Sequence, residues 1–82
     1  MSQFKIITDT APSLSDAQDF VGGYVQLVSL DNGDQLLMDE EGAFKCLNLN
    51  PEAVADAAAH GRPDLSRLVG PVLCLQGDAR WT

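Results

Sequence analysis

Tyr24-Val25-Gln26-Leu27-Val28-Ser29-Leu30-Asp31-Asn32-Gly33-Asp34-Gln35-Leu36-Leu37-Met38 is the stretch that decides the fold class of this chain. Tyr24 to Leu30 is rich in β-branched and aromatic residues, and Gln35 to Met38 is apolar again. Asn32-Gly33 lies between them, and Asn-Gly suits a type I′ turn because both of its central residues need positive φ. The stretch therefore reads as a β-hairpin.

Upstream, Phe4-Lys5-Ile6-Ile7-Thr8 reads as a first strand, closed by Asp9, Thr10 and Pro12. Ser13 then stands before Leu14, Ala17, Phe20 and Val21 at helical spacing, and Asp16 completes a Ser-x-x-Asp box. Gly22-Gly23 stops this helix, since glycine takes the left-handed conformation of a C-cap at little cost. A phosphate cradle is the weaker reading of the pair, because such loops run from strand into helix and the order here is reversed.

Downstream, Asp39-Glu40-Glu41-Gly42 ends the second hairpin arm, and Ala43 to Leu47 is expected as a short extended segment. Asn50-Pro51-Glu52 supplies an N-cap, a proline at the first helical position and an early acid for an alanine-rich helix through Ala59. Gly61-Arg62-Pro63 breaks it, Asp64 to Leu68 is expected as one helical turn, and Pro71 to Leu75 reads as a fully buried strand. Residues 77–82 form a polar tail apart from Trp81.

The order β-α-β-β-α-β predicts a small α+β domain spanning residues 1–82, with an antiparallel or mixed sheet of about four strands and two short helices. A split βαβ arrangement would place both helices on one face of the sheet, with the other face polar or covered by a partner. A chain of 82 residues has room for one core only. Such a core leaves a sheet edge or an apolar face wanting cover, so a homodimer is the expected assembly.

Twelve acids against five bases give a formal charge of −7, which repels nucleic acid and anionic lipid. Direct nucleic-acid binding is not expected. With 45% hydrophobic and 21% charged residues the composition is that of a folded protein, and no apolar run is long enough to span a membrane. Cys46 and Cys74 sit in apolar runs without zinc spacing or a secreted disulfide framework, so two buried thiols in a reducing cytoplasm are expected, with a bridge as the alternative.

Four segments carry a resemblance: Phe20-Val21-Gly22-Gly23-Tyr24-Val25, Asp39-Glu40-Glu41-Gly42, Leu47-Asn48-Leu49-Asn50-Pro51-Glu52-Ala53 and Val69-Gly70-Pro71-Val72. In order and spacing they resemble a family of small domains of unknown function found in bacteriophages, prophages and plasmids, over most of the chain from about Ser13 to Gln76. Asp39 stands where that family more often has asparagine. The resemblance implies a mobile-element accessory protein in a bacterial cytoplasm and brings no catalytic residues with it.

Asp39, Glu40 and Glu41 form the densest charged run, with Asp31 and Asp34 near it if the hairpin closes. A calcium loop needs a D-x-[DN]-x-[DN]-G pattern that is absent, so no metal and no cofactor are expected. The two remaining readings are carboxylates that serve solubility and an acidic surface that engages a basic partner groove. Trp81, beside Arg80, either pins the terminus to the domain or anchors a partner. Tyr24 is expected to be half-buried. His60 reads as a helix-end cap, and no serine or cysteine has the setting of a nucleophile, so the chain is not expected to be an enzyme.

The expected function is stoichiometric binding of a host or phage protein, with inhibition of a nucleic-acid-handling or defence complex through the acidic surface, carried by Asp31, Asp34, Asp39, Glu40, Glu41 and Trp81. The alternative is a small-molecule-binding regulatory module with its site at Asn48 and Asn50, between the sheet and their loop.

Overall fold

Two short runs, Leu36-Leu37-Met38 and Val72-Leu73-Cys74-Leu75, are apolar at every position, so both sides of whatever strands they form must be covered. The computed structural model, which describes residues 3–42, 44–45, 47–65 and 68–81, shows how. Its elements are β1 (Phe4–Ile7), α1 (Leu14–Val21), β2 (Val25–Ser29), β3 (Gln35–Asp39), α2 (Pro51–Ala59) and β4 (Val72–Leu75), followed by a 3-10 turn at Gly77–Ala79. The fold is α+β, with a four-stranded mixed sheet in the order β1-β4-β3-β2. β1 runs parallel to β4, whereas β4 and β3, and β3 and β2, are antiparallel.

Successive side chains of a strand point to opposite faces, and here each face has its own helix. Leu36, Met38, Val72 and Cys74 pack with Ala53 and Ala57 of α2, while Leu37, Leu73 and Leu75 pack with Ala17 of α1. The helices therefore lie on opposite faces, contrary to the one-face arrangement expected from the element order. The reason is the continuous apolar character of β3 and β4, which leaves no polar face to expose. Alanine at the contact positions of α2, both fully buried, lets that helix approach closely.

The helix ends follow local chemistry. Ser13 Oγ accepts from Asp16 N at 3.1 Å, and Gly22 closes α1 in the left-handed conformation at φ 86°. Asn50 caps α2, with Oδ1 accepting from Ala53 N at 3.1 Å. Its two amide hydrogens go to the carbonyl oxygens of Gly70 at 2.9 Å and Gln3 at 3.1 Å, so one side chain ties α2 to the chain entering β4 and β1.

The hairpin forms, but with a different turn. Gly33 N donates to Leu30 O at 3.0 Å and Leu30 N to Asp34 O at 2.8 Å, which puts Asp31-Asn32 at the centre of the turn. Gly33 follows them at φ 92°, the geometry of a three-residue loop with a left-handed third position. Asp34 is held in the ladder by Asn32, whose Oδ1 accepts from Asp34 N and whose Nδ2 donates to the Asp34 carboxylate.

In the segment expected to be extended, Phe44 and Lys45 lie in turns instead, their N–H groups donating back to Glu41 O at 3.0 and 3.2 Å. Ala43 and Cys46 lie outside the described residues, as do Ser66 and Arg67 of the expected helical turn at Asp64 to Leu68. Gly77 to Trp81, read as tail, is folded against the sheet. Ala79 is fully buried, and Trp81 packs beside Leu37 and Leu75.

Candidate partner-binding surface

β3 separates the acidic residues into two groups. Asp31 and Asp34 sit at the hairpin end, whereas Asp39, Glu40 and Glu41 sit at the other end, roughly 17 Å away at ~3.3 Å per residue. The five carboxylates do not form one cluster.

Two of them are structural. The Asp39 side chain is 1% exposed and meets Lys45 Nζ at 2.8 Å, while its Oδ1 accepts from Glu41 N at 2.9 Å. Lys45 Nζ also donates to Gly22 O at 3.1 Å, closing the turn over the end of α1. The hydrogen bond from Lys45, supported by that of the Glu41 amide, holds the Asp39 carboxyl below the usual aspartate range despite burial. Gly23 makes room for this pair, since a Cβ there would stand 2.6 Å from Lys45 Nζ and 3.0 Å from Asp39 Oδ1. This second role of the Gly-Gly pair was not visible in the sequence, where a C-cap explained both glycines.

At the other end Asp34 is buried, accepting from Gln76 Nε2 at 3.1 Å as well as from Asn32. Asp31 is exposed, with its N–H donated to His60 O at 3.1 Å. His60 closes α2, its Nδ1 donating to Asp56 O at 2.9 Å. Trp81 is partly buried: its indole N–H donates to Pro12 O at 3.0 Å, and its backbone N–H and C=O both bond the Gln35 amide, at 2.6 and 2.7 Å. The ring pins the chain end to the α1 face.

The residues of the alternative site are also placed. Asn50 is 3% exposed, with both amide hydrogens used. Asn48 has an exposed side chain, and its carbonyl accepts from Gly70 N at 2.8 Å beside the Leu49–Val69 bridge. Cys74 is fully buried, and burial together with the carboxylates of Asp56 and Asp34 pushes its thiol up to about 11. Among the described residues no three His, Cys, Asp or Glu side chains gather as a metal site would require.

The end of the sheet at the Asp39–Lys45 turn faces outward. Glu40 and Glu41 are exposed there, with Tyr24 at 67% and Phe44 at 88% exposure. Tyr24 is thus not half-buried as expected, because it precedes an edge strand and lies beyond the cover of α1. A cleft of about 280 Å³ opens beside it, lined by Gln18, Gly23, Tyr24, Glu41 and Lys45. Lys45 is committed to Asp39, Arg62 to Asp64 at 3.0 Å, and Arg80 to the carbonyls of Gly77 and Gly33.

No family model, curated protein or solved structure matches this chain. The Gly22-Gly23 pair and the acidic turn meet at the Asp39–Lys45 pair, and the Asn50 and Gly70 segments meet in the Asn50 cap. Among the described residues no helix is long and apolar enough to cross a membrane.

Proposed function

We propose that the chain works by stoichiometric binding of a protein partner with a basic surface, through the end of the sheet that carries Tyr24, Glu40, Glu41 and Phe44. The observation that carries this reading is the exposure of two aromatic side chains, 67% and 88%, in the same turn region as two exposed carboxylates. Aromatic residues are enriched at the cores of protein interfaces, and tyrosine is among the residue types that most often dominate their affinity. The charge of −7 steers a cationic surface toward it and away from nucleic acid. The resemblance to phage and plasmid domains supports a host or phage partner in a bacterial cytoplasm. A nucleic-acid-handling or defence complex fits the chemistry, because carboxylates can occupy a groove built for phosphates.

The test is affinity capture of the tagged chain from bacterial lysate at low and high salt, beside a variant carrying Tyr24→Ala, Glu40→Gln, Glu41→Gln and Phe44→Ala. A dominant partner that is lost at high salt and missed by the variant supports the reading. A capture profile that neither salt nor the variant changes refutes it.

One observation favours a second reading, a small-molecule-binding regulatory module. The cleft at Gln18, Tyr24 and Glu41, about 280 Å³, approaches the lower end of ligand-pocket volumes of ~300–1,000 Å³. A ligand that binds the native state raises the melting temperature by mass action, and thermal-shift screening reads that directly.

A further inference from the structure

β2 forms one edge of the sheet, and its register shows which backbone groups face outward. Glu40 N donates to Tyr24 O at 2.8 Å at one end, and Leu30 N donates to Asp34 O at 2.8 Å at the other. Bonded and non-bonded pairs alternate in an antiparallel ladder, so Tyr24, Gln26, Val28 and Leu30 bond to β3. The N–H and C=O groups of Val25, Leu27 and Ser29 point out of the sheet. Arg62 Nη1 reaches Ser29 O at 3.2 Å, which leaves Val25 and Leu27 as the open section among the described residues.

Edge strands are ordinarily blunted by a lysine, a proline, a bulge or a covering loop. Val25-Gln26-Leu27-Val28-Ser29 has no charge and no proline, and it pairs with β3 residue for residue without a bulge. β1, at the opposite edge, carries Lys5. Leu27, at the middle of the open section, is 40% exposed. Exposed carboxylates stand beyond both ends of the strand, Glu40 and Glu41 past Val25 and Asp31 past Ser29.

We infer that the β2 edge accepts an extended basic segment of the partner as an added strand, its uncharged centre against Leu27 and its cationic residues at the two ends. Charge selects this occupant. A second copy would bring another −7 and set carboxylates against carboxylates, whereas a basic segment meets Glu40 and Glu41 at one end and Asp31 at the other. In strand addition the main-chain bonds supply affinity, and side chains such as Leu27 supply selectivity. The inference rests on the reading proposed above and specifies how the partner is held.

The probe is a peptide with lysines at both ends of an alternating Thr-Val repeat, and its control has glutamates in place of the lysines. Amide hydrogen exchange of the full chain is followed by NMR with each peptide at millimolar concentration. The lysine peptide is expected to slow exchange at the Val25 and Leu27 N–H groups about tenfold or more, with Gln26 and Val28 little changed because their N–H groups already bond to β3. Leu27→Lys, which places a like charge at the centre of the edge, is expected to weaken binding about tenfold while leaving the melting temperature nearly unchanged. Leu27→Pro removes an outward donor and is expected to act in the same direction.

Slowed exchange confined to Tyr24, Glu40 and Glu41 would overturn the edge inference and leave the basic-partner reading standing. So would a lysate partner that is lost at high salt yet retained by Leu27→Lys. Equal effects from the glutamate peptide, or no effect of either peptide at millimolar concentration, would also overturn it. Protection of Val25 and Leu27 without peptide, in a chain that sediments as a dimer, would assign the edge to a second copy instead. A lysate with no salt-sensitive partner would remove the reading on which the inference rests.

Discussion

β4 is apolar at every position, β2 interleaves Gln26 and Ser29 with Val25, Leu27 and Val28, and the two end up in opposite situations. Val72-Leu73-Cys74-Leu75 is buried at all four positions, whereas in Val25-Gln26-Leu27-Val28-Ser29 no residue is fully buried. β4 has a neighbour on each side and a helix over each face, while β2 has one neighbour and an open edge. An apolar strand thus belongs to the core or to the contact surface according to how many elements flank it.

The strongest way to break this comparison is to truncate equivalent leucines in the interior and at the edge. Leu75→Ala is expected to cost about 2–5 kcal/mol in urea unfolding, because the side chain is fully buried between α1 and the sheet. For a chain of 82 residues with a total stability of ~4–12 kcal/mol, that loss leaves a substantial unfolded fraction. A cost below about 1 kcal/mol would mean that the α1 face is loosely packed and that the contrast is overstated.

Asn50→Ala comes next, at about 2–3 kcal/mol. It removes the α2 cap, ordinarily worth ~1 kcal/mol, and strips a donor from the Gly70 and Gln3 carbonyls in front of β4 and β1. Ser13→Ala removes only an exposed cap, so it sets the scale at about 1 kcal/mol. Equal costs for the two would show that Asn50 acts as a cap alone.

Asp39→Asn is expected to cost about 1–2 kcal/mol at neutral pH, since it takes away the charge that Lys45 meets at the end of β3. The folded carboxyl titrates below the usual aspartate range, so the native state binds its proton less readily than the unfolded chain does. The stabilisation is therefore complete above the unfolded pKa of ~3.9 and is lost as pH falls through the lower folded value. The gap between wild type and Asp39→Asn should close in acid below about pH 4, and a gap independent of pH would assign the effect to packing.

The smallest effect belongs to the edge itself. Leu27→Thr is expected to change stability by no more than about 0.5 kcal/mol, because the side chain is 40% exposed and threonine suits a strand. If it costs as much as Leu75→Ala, β2 is already covered in solution and its open edge does not exist.

Much of the fold was legible locally. The Ser13-x-x-Asp16 box, Gly22, Asn50-Pro51 and the Asn32-Gly33 pair each act within a few residues of themselves, and helices and hairpin stand where these signals placed them. The candidate surface was less legible. Glu40 and Glu41 were identified by charge and are exposed. Asp34 and Asp39 were grouped with them although their partners, Gln76 and Lys45, are reached only after folding. Phe44 lies in a stretch read as extended, and nothing in its neighbours announced that its ring would stand in water.

The amino-acid order by itself determined the succession of strands and helices, their caps and the acidic balance, because hydrogen bonds within a turn and periodic burial are short-range. Only the tertiary structure decided which helix covers which face, that β2 is an edge, and which carboxylates are buried in ion pairs and amide contacts. Those outcomes depend on contacts between residues distant in the chain, such as Leu36 with Cys74 and Gln35 with Trp81, whose register no local pattern encodes.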